Sequence, residues 1–174
     1  GAGWHDRMAD PERGGLGREG KPGAYTYRVL PGREDHPVAF VSWYDARAFL
    51  EWCGLRLPTE AQWEKAVRGG VWLDGDMAKT RRNPQPDRRY PWGNEDPICT
   101  PGAENGAHFA ECEPDADLIL PVPVRTYSPN GFGLYDLAGN VLEWVLDWYQ
   151  SDYYSVSPTE NPQGPETGTQ RVLR

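Results

Sequence analysis

Residues 71–121 are rich in Pro, Gly, Asn and Asp and hold hardly one periodic stretch. In a compact domain a connection of about fifty residues is too long to be idle, so this segment is expected to be functional or pinned in place. The same punctuation runs through the whole chain, with 20 Gly and 17 Pro in 174 residues. Eight Trp and nine Tyr argue against disorder, because large rings supply the buried area that offsets ordering entropy. The expectation is one α+β domain over 1–174, with two helices, short antiparallel strands and a high proportion of irregular loop.

Local signals sharpen after residue 35. Residues 1–35 read as surface loop, with only Tyr25-Thr26-Tyr27-Arg28-Val29-Leu30 looking like a strand. Pro37-Val38-Ala39-Phe40-Val41 is short, apolar and β-branched, and it runs into Ser42-Trp43-Tyr44-Asp45, a capping-box spacing. A helix is predicted from Trp43, burying a stripe of Trp43, Ala46, Phe49, Leu50 and Cys53, with Gly54 placed to end it. Thr59-Glu60-Ala61-Gln62 supplies a second cap for a helix from Glu60 to about Arg68, burying Trp63, Ala66 and Val67 and stopped by Gly69-Gly70. Tyr90-Pro91-Trp92-Gly93-Asn94 reads as a tight turn with a buried ring, and residues 118–124 as an edge strand, whose prolines cannot donate to a ladder. Residues 141–148 are predicted to make a core strand, 150–168 a polar loop, and Arg171-Val172-Leu173-Arg174 the start of another strand.

Charge and composition exclude several function classes. With 18 Lys+Arg against 26 Asp+Glu the formal charge is -8, and Arg81-Arg82 with Arg88-Arg89 are the only basic clusters, so no nucleic-acid footprint is present and these arginines read as a solvated loop. The mean hydropathy is -0.75 and no apolar run approaches membrane-spanning length. The opening Gly1-Ala2-Gly3-Trp4-His5-Asp6 shows no secretory signal, which favours a cytoplasmic location. Only three basic residues are Lys, a bias that a GC-rich genome or heat adaptation would each produce. Cys53, Cys99 and Cys112 contain no C-x-x-C pair. Cys53 is expected to be a buried small hydrophobe, and Cys99 and Cys112, which flank a polar loop, could pair. His5, His36 and His108 are scattered without metal-binding spacing.

The chemistry is concentrated between residues 129 and 144. Asp136, Asn140 and Glu143 place three hard oxygen side chains close together, with Gly139 between them to let the backbone fold its carbonyls inward, an arrangement that hard cations such as calcium need. The competing reading has Asp136 and Asn140 satisfying turn amides and Glu143 pairing with an arginine. A looser acidic group consists of Asn105 with Asp115 and Asp117. Ser42 and Thr59 read as caps, no nucleophile elbow is present, and the Glu60/Glu64 pair and Asp45 read as structural.

The order of motifs resembles the formylglycine-generating enzyme family, also called the sulfatase-modifying-factor family, over residues 36–174. The resemblance rests on His36-Pro37-Val38 through Trp43, Arg56-Leu57-Pro58-Thr59-Glu60-Ala61-Gln62-Trp63-Glu64, Tyr90-Pro91-Trp92-Gly93-Asn94, Asn130-Gly131-Phe132-Gly133-Leu134-Tyr135-Asp136 and Gly139-Asn140-Val141-Leu142-Glu143-Trp144. It implies a C-type-lectin-like mixed fold with structural calcium. One calcium site would use the side chains of Asp136 and Glu143 with main-chain oxygens near Gly139 and Val141. A second would use Asn105, the main chain of Gly106, and Asp117. In the family's oxidising members a cysteine pair beyond the Arg-Val-Leu-Arg strand binds copper and handles the substrate cysteine. None of Cys53, Cys99 and Cys112 matches that pair, and Leu142 stands where the family often has Trp. The three-histidine iron site of the sulfoxide synthases that share the fold is likewise unmatched. The leading expectation is therefore a calcium-stabilised noncatalytic module that binds a protein or peptide ligand, as the variable proteins of diversity-generating retroelements resemble. The alternative is a copper-dependent formylglycine-generating oxidase acting on a substrate-protein cysteine, without its C-terminal catalytic segment.

Overall fold

The computed structural model describes residues 15–69, 72, 77–113 and 120–174. In chain order the elements are β1 (Leu16–Lys21), β2 (Ala24–Val29), α1 (Trp43–Trp52), α2 (Glu60–Arg68), a 3-10 turn (Ala110–Cys112), β3 (Trp144–Trp148), α3 (Tyr153–Val156) and β4 (Arg171–Leu173). The strands form two antiparallel pairs, β1 with β2 and β3 with β4, the second interrupted by a bulge-like shift. The architecture is mixed α+β with few helices and short antiparallel strands.

The first pair corrects the expectation of surface loop before residue 36. β1 and β2 run from the Leu16/Val29 pair to the Lys21/Ala24 pair, closing on Pro22 and on Gly23, whose φ of +86° few other residues adopt. β1 lacks an apolar alternation, so its pairing rests on backbone bonds, an Arg28–Glu19 ion pair and Arg18 lying 4.4 Å from the centroid of the Tyr25 ring.

Both helices start where their caps dictate. Ser42 Oγ accepts from the Asp45 amide at 3.2 Å while Asp45 Oδ2 accepts from the Ser42 amide at 3.1 Å. Thr59 and Gln62 reciprocate in the same way, at 3.2 and 3.0 Å. At the end of α1 the Leu55 amide reaches the Leu50 carbonyl at 2.7 Å and the Gly54 amide that of Glu51 at 3.1 Å, with Gly54 at φ +72°, which is a Schellman closure.

The buried stripe of α1 is shorter than its spacing predicts. Trp43 is buried and donates from Nε1 to the Val145 carbonyl at 2.8 Å, whereas Phe49 is 61% exposed and Cys53 is exposed too. The physical reason is that α1 is anchored against β3 through Trp43 in its first turn, whereas Phe49, further along, lies exposed with the ring of Trp52 6.0 Å away. In α2, Val67 is buried and Trp63 and Ala66 are half-buried.

The core forms where these elements meet β3 and β4. Val145 is fully buried, Val172 faces it from β4, and Arg171 lies between the rings of Trp43 and Trp148, 3.6 and 3.4 Å from their centroids. Asp147, also buried, accepts from the Glu60 amide at 2.8 Å and so ties the N-terminus of α2 to β3.

Three further expectations change. β3 starts at Trp144 rather than 141, because Asn140 takes φ +65° and the Val141 amide turns back to the Gly139 carbonyl. Residues 120–124 form no ladder: the Val122 amide donates to Asn140 Oδ1 and that of Val124 to the Asp35 carbonyl, while residues 118 and 119 lie outside the described residues. The 150–168 loop contains the short helix α3. The turn at Tyr90 forms as expected, with Tyr90 and Gly93 exchanging backbone bonds and Trp92, half-buried, stacked on Tyr90 at 5.3 Å. No helix among the described residues is long and apolar enough to cross a membrane.

Candidate metal centre

The Asp136 carboxylate is placed by a turn upstream. Asn130 Oδ1 accepts from the amides of Phe132 and Leu134 at 3.0 and 3.2 Å, and Gly133 takes φ +77°. The same asparagine donates from Nδ2 to the Ala66 carbonyl at 2.6 Å, fastening the turn to the end of α2. Arg88 fills the neighbouring position, donating from Nε and Nη2 to the Val67 carbonyl at 3.2 and 3.0 Å, so it is half-buried rather than solvated. The chain then reaches Asp136 in the left-handed region, at φ +56°. Oδ2 of Asp136 accepts from the Arg125 amide at 2.9 Å, and Oδ1 is buried with no hydrogen-bond partner.

The next turn leads to Glu143, whose carboxyl feels the Asp136 charge. Gly139 takes φ +84°, and a Cβ there would collide with the His108 carbonyl, which accepts the Asn140 amide at 2.8 Å. The Asn140 side chain clasps the Val122 backbone: Oδ1 accepts from its amide and Nδ2 donates to its carbonyl at 3.2 Å. Glu143 Oε2 accepts from Trp63 Nε1 at 2.6 Å, so the carboxylate is oriented by α2. Burial pushes the Glu143 carboxyl above its ordinary range; the Trp63 bond opposes this and the Asp136 charge adds to it.

Two carboxylates, one with an unpartnered buried oxygen and the other raised in proton affinity by burial and by its neighbour's charge, form a donor set that fits a hard cation. Among the described residues the Glu143 carboxylate forms no ion pair with an arginine, contrary to the competing reading, although the Asn140 side chain does satisfy backbone groups as that reading expects. Among the described residues no three His, Cys, Asp or Glu side chains gather, so further ligands would have to be other oxygens, such as those of the main chain at Gly139 and Val141.

Asn105 and Gly106 lie on a neighbouring loop. The Asn105 carbonyl accepts from the Ile98 amide at 3.0 Å and its Nδ2 donates to the Asp96 carbonyl at 2.9 Å. Gly106 is buried against the Tyr127 ring, which a Cβ would strike. A cavity of about 10 Å³ touches both Gly106 and Asp136, room for one water-sized occupant. Asp115 and Asp117 lie outside the described residues. Trp63, His108 and Arg125 join the site without having been singled out for it; only the fold brings them there.

Cys99 and Cys112 form a disulfide, and Cys53 is a free, exposed thiol. The burial expected for Cys53 fails because it caps the unanchored end of α1. These cysteines do not fit a copper site. Leu142 is 73% exposed beside an apolar groove of about 490 Å³ that also touches Val38, Phe40, Val141, Trp144 and Leu173.

Comparison with known proteins bears on the same residues. A formylglycine-generating enzyme of Streptomyces coelicolor is 44% identical over 153 residues, covering 83% of this chain and 43% of its own length. A second, from Thermomonospora curvata, is 42% identical over 169 residues, covering 88% and 50%. The serine/threonine-protein kinase pkn1 of Chlamydia pneumoniae is 42% identical over 148 residues, covering 84% of this chain and 20% of the kinase. The chain thus spans half or less of the length of these relatives. The family described as sulfatase-modifying factor enzyme 1-like domain matches residues 16–174, which takes in the β1–β2 hairpin as well as the motifs from residue 36 onward, and the chain belongs to that family.

Proposed function

We propose that this chain is the cation-stabilised scaffold of a formylglycine-generating oxidase, built on a C-type-lectin-like fold. The observation that carries the reading is the 44% and 42% identity with two enzymes of that name over 83% and 88% of the chain. It favours the oxidase over the noncatalytic module that the cysteine pattern and Leu142 suggest. Calcium is the structural ion, held by Asp136 and Glu143 with main-chain oxygens at Gly139 and Val141, and a second ion uses Asn105, Gly106 and Asp117. The unpartnered Asp136 Oδ1 and the raised proton affinity of Glu143 support the first of these sites. Copper and a substrate-protein cysteine belong to the oxidase as a whole. No step through copper is assigned to the residues of this chain.

The noncatalytic reading retains a support in the match to a kinase of which the similar segment covers 20%. The two readings separate in one assay. The full-length polypeptide that carries this chain, supplied with Cu(I), dioxygen and a cysteine-containing peptide, is expected to convert the cysteine to formylglycine, read by mass spectrometry. No conversion by a folded, calcium-responsive protein would overturn the oxidase reading in favour of a binding module.

A further inference from the structure

The Cys99–Cys112 disulfide closes a loop that bears directly on the 136–143 turn. Gly106, inside the loop, forms a parallel bridge with Ile98, which immediately precedes Cys99, and the Ala107 amide donates to the Ile98 carbonyl at 3.0 Å. Two residues on, His108 bridges Gly139 and accepts the Asn140 amide at 2.8 Å. Buried His108 is itself held through Nε2, 2.9 Å from the Leu120 carbonyl. The far side is moored as well: the Gly102 amide donates to the Thr126 carbonyl at 2.9 Å, and the Tyr127 hydroxyl to the Cys99 carbonyl at 3.4 Å. Asp136 and Glu143 lie on either side of Gly139 and Asn140. The loop carrying His108 therefore braces the turn between the two carboxylates, and the disulfide joins that loop's two ends. Both cysteines are half-buried.

We propose that Cys99–Cys112 is a redox latch on the 136–143 turn. Oxidised, it keeps the His108 carbonyl against Gly139 and Asn140 and presets the two carboxylates for a cation. A dithiol opens it by exchange, delivering two electrons and two protons, so that Cys99 and Cys112 become thiols and the dithiol becomes a disulfide. The loop then gains conformational freedom, the turn loses its brace, and cation affinity falls. The affinity half of this proposal rests on the cation reading of the site; the mechanical half does not.

The test uses the Cys53→Ser background, so that the exposed thiol cannot reshuffle with the other two. Oxidised protein, the same protein reduced with dithiothreitol and alkylated, and the Cys99→Ser/Cys112→Ser variant are compared, with near-UV circular dichroism to establish that each is folded. Hydrogen exchange at the Asn140 amide, measured without metal, is expected to quicken by about tenfold on opening, and the calcium concentration giving half the rise in Tm to increase by about the same factor. Unchanged exchange at Asn140 in folded, reduced protein overturns the latch whatever calcium does. Faster exchange with an unmoved calcium midpoint overturns the coupling to affinity. An oxidised protein whose Tm ignores calcium overturns the cation reading and the affinity half with it, and faster exchange then supports the mechanical half alone.

Discussion

The half of the molecule built from α1, α2, β3 and β4 and the half built from residues 77–140 are held by different physics. In the first, Trp43, Val67, Val145 and Val172 are buried and the helix ends are closed by their own caps. In the second, Ala107 and Tyr127 are buried among the described residues, and order comes from a disulfide, glycines pressed against carbonyls, and asparagines that stand in for backbone partners. Apolar burial is non-directional and tolerates small errors of position. Hydrogen bonds and carboxylate pairs are directional, and they are costly when a buried partner is left unmade. A segment held in the second way can therefore position oxygen ligands closely, and it depends on whatever neutralises them.

The sharpest way to break this contrast is a deletion in the first half. Trp43→Ala removes a buried ring and its bond to the Val145 carbonyl, and should cost about 3–5 kcal/mol in urea-unfolding stability, while calcium still raises Tm. If the calcium response disappears together with Trp43, the two halves are one cooperative unit and the contrast fails. The second half is tested by Glu143→Ala. Calcium at a hundredfold excess over its Kd would stabilise the wild type by about 2.7 kcal/mol, a gain that chelator should remove. In Glu143→Ala, the calcium gain and the chelator loss should each shrink to what the second site contributes; equal chelator sensitivity in variant and wild type would sink the assignment of this ligand.

The same contrast explains what could be read in the sequence. Capping boxes and the Gly54 closure are local, so α1 and α2 were legible to within a residue, as was β4, whereas the one-turn α3 was not. Asp136 and Glu143 stand out together in the sequence because one short stretch carries both. The strand β1 was not legible, since Gly17, Arg18, Glu19 and Gly20 give no alternation; Pro22-Gly23 before a strand was the signal available. Nor was the exposure of Phe49 and Cys53, because periodicity reports a face and not how far along that face a neighbour extends. The brace of His108 on Gly139 joins residues 31 positions apart and follows from no local pattern. The pairing of Cys99 with Cys112 stayed open in the sequence for a related reason, since spacing alone does not fix connectivity.

Asp147 offers the finest adjustment, at the seam between the two helices and β3. Its carboxyl is pushed up by burial, against the opposing pull of its own main-chain amide and of Arg171. The folded state thus holds the proton more tightly than the unfolded chain does. The stability associated with this group is fully present below the ordinary aspartate range and is lost as pH rises through the raised folded value. Asp147→Asn keeps the shape and an oxygen for the Glu60 amide but cannot ionise. Urea midpoints between roughly pH 4 and pH 7 should therefore show the variant gaining on the wild type as pH rises, with the difference levelling off once Asp147 is ionised. A difference that is flat across the range would mean that Arg171 and the amide already compensate the buried charge. The seam between α2 and β3 would then be held by a paired carboxylate rather than by a reluctant one.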